Sequence, residues 1–167
     1  MGDWTGTVPT FAAGAKLRGV DMATLAAIDT ALAIGWTTWV PTLTNLTLAS
    51  GTLTAKYRRV GKTVDFKFKF VYGAGSAVGT DPQFTLPVTP AAEYVNSSAQ
   101  LIPIGEVFIL DFGTTGKGGK GLTLSGSTVS IRYDDQATNA AIAITATVPW
   151  TWTTNDMLSC WGTYEAA

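Results

Sequence analysis

Histidine is missing from the chain altogether, and cysteine occurs once, at Cys160. Without histidine there is no imidazole general base, no Ser-His or Cys-His dyad and none of the commonest metal ligand. A single cysteine excludes an internal disulfide and leaves zinc only carboxylates and one thiol. Charge is scarce as well: 14% of the 167 residues are charged, against roughly a quarter in an ordinary soluble domain. The eleven Lys and Arg residues are scattered and the formal net charge is -1, so no basic stripe invites counterion release from a nucleic acid, and neither DNA nor RNA is expected as a partner. No apolar run reaches the length of a bilayer-crossing helix, and Met1 leads into Gly2-Asp3-Trp4 instead of a basic then apolar leader. No membrane partner is expected, and synthesis in a cytoplasm is. Hydrophobic residues nonetheless make up 46% of the chain, which points to surface hidden by protein partners.

The length suits one core with an appendage. Residues 1–35 read as an N-terminal arm and helix for attachment or trimerisation, and residues 36–167 as a β-sandwich domain. The arm mixes Gly, Thr, Pro and Ala with Trp4, Phe11 and Leu17 and has no period that would bury it on its own chain, so docking on a neighbour and fraying are equally compatible with it. From Asp21 the pattern becomes helical: Met22, Leu25, Ile28 and Leu32 recur at three- and four-residue steps, Asp21 caps the first turn and Gly35 stands at the C-cap. The opposite face is largely alanine, small enough for close helix approach, so Met22, Leu25, Ile28 and Leu32 are candidate interface residues of a three-fold bundle. A helix that only plugs one end of the sandwich fits the same residues.

After Gly35, Thr, Val, aromatic and Gly residues dominate and turn signals recur about every ten residues. This predicts an all-β antiparallel sandwich or jelly roll with strands at 37–43, 52–60, 63–72, 83–88, 99–112, 122–124, 128–133, 140–148 and 158–164. The clearest unit is a hairpin over Leu53–Tyr72 turning at Val60-Gly61-Lys62. In it Val64, Phe66, Phe68, Phe70 and Tyr72 alternate with Asp65, Lys67, Lys69 and Val71. A second hairpin turns at Ser125-Gly126-Ser127, with Ser130 and Arg132 expected outward. In 140–148, Ile142, Ile144, Ala146 and Val148 are expected to face in. The other face, with Ala141, Ala143, Thr145 and Thr147, is almost uncharged, so it is covered by a strand layer of the same chain or by an identical neighbour. Ala143 and Thr145 are therefore further candidate interface residues.

Each candidate for chemistry has a plainer reading beside it. Residues 113–121 are rich in Gly, Lys and Thr like a phosphate loop, but Lys117 and Lys120 are followed by Gly and then a strand, so a mobile inter-strand loop is expected. Asp134 and Asp135 with Asn139 offer hard oxygens to Ca2+ without EF-hand spacing, which a simple turn also explains. Asp81-Pro82 reads as a turn before a strand at Gln83. For a polysaccharide depolymerase the available acids are Glu93, Glu106, Asp134 and Asp135, and their spacing gives that reaction no support. No catalytic residue, cofactor or metal is assigned. The six tryptophans, Trp4, Trp36, Trp39, Trp150, Trp152 and Trp161, suit either packing or stacking on pyranose rings, and Trp36 and Trp152 are the candidates for glycan contact.

Trp39-Val40-Pro41-Thr42-Leu43-Thr44 followed by residues 51–64 resembles the opening of β-domains in bacteriophage minor tail and tail fibre proteins, especially of phages infecting actinobacteria. Phe84-Thr85-Leu86-Pro87-Val88 is similar to a later strand of those proteins, and residues 149–158 with 162–166 to their closing strand. The likeness implies a homotrimeric β-sandwich on the virion, contacting other phage virion proteins and, in a host-attachment role, a host cell-surface glycan. It implies no catalytic residue. A tail position is preferred to the capsid; a capsid decoration or head fibre protein, and a carbohydrate-binding module, are the alternatives.

Overall fold

Residues 35–95, 101–124 and 126–167 are described in the computed structural model. The expected arm and helix, with Met22, Leu25, Ile28 and Leu32, lie outside them. The described chain is all-β and antiparallel in a sandwich-like arrangement, as the sequence pattern leads one to expect. Its ten strands are β1 (Thr37–Thr38), β2 (Leu43–Thr47), β3 (Thr52–Val60), β4 (Thr63–Val71), β5 (Ala77–Thr85), β6 (Ile102–Asp111), β7 (Thr115–Thr123), β8 (Thr128–Asp135), β9 (Ala140–Ala143) and β10 (Met157–Glu165). They form one curled sheet in the order β1-β3-β4-β10-β6-β7-β8-β5-β2, with β9 added to β8.

The period-2 alternation of β4 sets the two faces. Val64, Phe66, Phe68 and Phe70 are buried, while Lys67 and Lys69 are exposed, and Gly61 (φ 60°) takes the left-handed turn that joins β3 to β4. Although β4 and β5 are far apart in the strand order, Phe68 stacks on Phe84 with ring centroids 4.3 Å apart and planes 7° from parallel. Phe66 meets Tyr164 at 6.0 Å. The sheet has thus folded over on itself, with its aromatic side chains as the filling.

The run from Thr37 to Thr47 closes the structure by pairing with both ends of the sheet. β1 lies on β3, the Trp39 N–H reaches the Ala55 carbonyl (3.1 Å), and the Thr85 N–H then donates to the Thr42 carbonyl (3.1 Å) as β2 joins β5. At the opposite end of β10 the Tyr164 hydroxyl donates to the Val88 carbonyl (2.8 Å). The buried Asp156 accepts from the Phe112 and Thr153 N–H groups (2.9 and 2.7 Å), tying the start of β10 to the turn between β6 and β7.

Several expectations need correction. The Gly-Lys segment is no mobile loop: Thr115–Thr123 is a full strand paired with both β6 and β8. Glycine is a poor strand former, but here it makes room. A Cβ on Gly119 would run into the Arg132 carbonyl, and one on Gly121 would lie 2.7 Å from the Cys160 sulfur. Asp81-Pro82 does not precede a strand but sits inside β5, where Asp81 (φ 54°) and Asn45 (φ 57°) of the paired β2 mark an irregularity that accommodates the proline. Ser130, expected outward, is buried and donates to Asp81 Oδ1 (2.5 Å), which also meets Arg132 at 3.3 Å. The strand expected over 140–148 stops at Ala143, so the alternation fails beyond it and Ala146 is exposed.

Gly119→Ala is expected to cost upward of about 2 kcal/mol in urea denaturation. Gly118→Ala, whose nearest neighbour atom would lie 4.0 Å away, is expected to stay within about 0.5 kcal/mol of the parent.

Burial pushes the Tyr164 phenol up to about 12 from its ordinary 10.0. The fold favours the neutral form, so the associated stability is complete below about pH 10 and is lost as pH rises from there toward about 12. Tyr164→Phe is expected to lose about 1 kcal/mol at neutral pH with its hydrogen bond, yet to show a shallower fall in thermal stability over that alkaline range.

Candidate binding surface

Because β10 alternates like β4, Leu158, Cys160 and Tyr164 point into the core and Trp161 points out, 46% exposed. The registers place Trp161 in a row that runs across the strands on the outer face: Lys56, Lys67, Trp161, Glu106, Lys120, Arg132. Lys120 grips both oxygens of Glu106 at 2.8 Å, and the carboxylate holds its ammonium above the usual lysine range. On the next row Asp65 accepts from Thr163 Oγ1 (2.6 Å) and Arg58 Nε (2.7 Å), and those two bonds hold its carboxyl below the usual carboxylate range.

Three shallow depressions meet at Trp161. One of about 340 Å³ separates it from Trp36 and is lined by Arg58, Asp65 and Lys67. A second, about 370 Å³ and mostly apolar, lies between Trp161, Ser159, Thr54, Lys67 and Lys69. The third, about 350 Å³, is bounded by Pro103, Glu106 and Lys120.

Of the two tryptophans nominated for glycan contact, Trp36 reaches this surface and is 40% exposed. The Lys67 ammonium sits 3.9 Å from its ring centroid, a cation–π contact that occupies part of the indole. Trp152 does not fit the nomination. It is only 6% exposed, donates its Nε1–H to the Thr145 carbonyl (2.9 Å) and packs against Trp150 at 5.6 Å. Trp161, which was not nominated, stands in its place. The signal was present in the alternation of residues 158–164, where apolar side chains at 158, 160 and 164 turn 161 outward.

Ala143 is half-buried at the end of β9, and Thr145 follows in a turn closed by its own N–H to the Val148 carbonyl (3.0 Å). The two therefore do not share one strand face. Asp134 and Asp135 line a depression of about 470 Å³ with Lys117. There Asp135 accepts from Thr138 Oγ1 (2.8 Å) and the Ala137 N–H (3.2 Å), the bonds of a turn. Among the described residues no three His, Cys, Asp or Glu side chains gather into a metal-holding group. The acids considered for hydrolysis are dispersed, with Glu93 in a turn at Ala92–Tyr94, Glu106 on β6 and the aspartates at the end of β8.

Searches against protein-family models, curated proteins and solved structures find no match for this chain.

Cys160 lies beneath the Trp161 surface, fully buried, and that burial pushes its thiol well above the usual range. The folded protein is expected to give no reaction with an aromatic disulfide reagent at pH 8, and one thiol equivalent once unfolded in guanidinium. Rapid native-state labelling would contradict this placement.

Proposed function

We propose that this chain is a structural subunit of a bacteriophage particle, of the minor tail or fibre type, that assembles as a homotrimer and holds a place in the particle without converting a substrate. The segments that resemble phage tail and fibre proteins support the reading, since they fall on elements that meet in space. Residues 39–44 form the closing run, 51–64 build β3 and its turn into β4, and 149–158 with 162–166 lead into and complete β10, which lies beside β4.

The observation that carries the assembly is apolar surface left open on a chain poor in charge. At the turn between β6 and β7 Phe112 is 61% exposed, and Phe108, on the outer face of β6, is 37% exposed. Aromatic rings of this kind are the material of subunit contacts. A tail position, contact with other virion proteins and display of the β-domain toward the host surface belong to the same proposal. A capsid decoration protein would share this architecture; a carbohydrate-binding role is favoured separately by the row around Trp161.

Sedimentation velocity on the full-length chain at micromolar concentration is expected to give three times the 17.5 kDa chain mass. A species that remains monomeric there overturns the trimer.

A further inference from the structure

We infer that the outer face around Trp161 is a binding site for an acidic saccharide, a short run of pyranose rings carrying carboxylate or phosphate groups. The site lies on one chain and does not depend on the assembly proposed above.

Two independent features point to this ligand. The first is the indole of Trp161, 46% exposed at the meeting point of three shallow depressions. A flat ring standing free beside low ground suits the apolar face of a pyranose; at the margins Thr54 offers a hydroxyl, and the Thr163 and Ser159 oxygens, whose protons go to Asp65 and the Phe108 carbonyl, can accept from sugar hydroxyls.

The second is a placement of charge that works against the free protein. Lys56 and Lys67 are directly opposite each other across β3 and β4, and Lys69 follows on the same face two residues along. Like charges in directly opposed positions destabilise a sheet. Arg58 is paired with Asp65 and Lys120 with Glu106, whereas among the described residues no ion pair is formed by Lys56, Lys67 or Lys69. In a chain with only eleven basic residues, three lysines brought together without an acid leave cationic potential beside an exposed aromatic ring. A bound anion relieves that repulsion, which makes the lysines complementary to an acidic sugar and not to a neutral one.

The test is isothermal titration of the full-length protein with tetragalacturonate, phosphorylated pentamannose, cellotetraose and a tetraglutamate peptide. At least one acidic saccharide is expected to bind, more weakly as salt rises, with cellotetraose at least about tenfold weaker. The saccharide that binds assigns the anionic group as carboxylate or phosphate. Trp161→Ala is expected to weaken binding about tenfold. The double variant Lys56→Gln/Lys69→Gln is expected to do the same while melting at or above the parent temperature, because it removes a repulsion; its melting curve separates lost binding from lost folding. The inference is overturned if neither acidic saccharide binds at millimolar concentration, or if Trp161→Ala binds as the parent does. Equal binding of cellotetraose would remove the role of the lysines, and tetraglutamate binding as tightly as the sugars would reduce the site to a bare charge patch; either result sinks it.

Discussion

The register of β4 between β3 and β10 is the constraint on which the rest of the molecule rests. It points Val64, Phe66, Phe68 and Phe70 into the core and Asp65, Lys67 and Lys69 out. Sliding β4 by one residue would exchange these sets. Burial of the four apolar side chains is worth roughly 6–12 kcal/mol at the usual 1.5–3 for each, comparable with the whole stability of an ordinary domain. No alternative register can compete with that. The same register fixes Lys67 beside Trp161 and opposite Lys56, so packing in the core dictates the arrangement of charge on the surface.

Much of this was legible where the signal is local. The alternation in 63–71 and the turn at Gly61 are enough to place the β3–β4 hairpin, and the all-β class follows from the Thr, Val and aromatic content after Gly35. What escaped depends on contacts distant in sequence. Residues 113–121 read as a loop because glycine disfavours strands, yet Gly119 and Gly121 are there because the Arg132 backbone and Cys160 leave no room for a Cβ. Asp81 looked like a turn residue because of the proline after it; besides the nearby Gln83, it is held by Ser130 and Arg132, about fifty positions away. Trp152 and Trp161 are chemically alike, and only the strand period around the second distinguishes the outward ring from the buried one.

The charge row is the extreme case of this nonlocality. Its six members come from six strands, and in the linear sequence they appear as four scattered basic residues, one glutamate and one tryptophan. Composition suggests a surface of little electrostatic character, whereas the folded chain concentrates cations around one aromatic side chain. Low charge and strong local charge are compatible because a sheet gathers side chains transversely, at right angles to the direction in which sequence is read.

Assembly and recognition then bear on each other through the outer face. Phe108 pairs in register with Ser159, and Trp161 with Glu106, so the exposed phenylalanine and the tryptophan are diagonal neighbours on adjacent strands. A subunit contact built on Phe108 and Phe112 would therefore border the saccharide surface without needing Trp161 itself. A shallow site gives weak affinity for one sugar chain, but a trimer would carry three copies of the row. If the geometry lets one polymeric surface meet all three, the second and third contacts become intramolecular and apparent affinity can rise by two or more orders of magnitude with no new interaction. On that argument a modest groove is adequate for a particle component, because the assembly supplies the strength that the single site lacks.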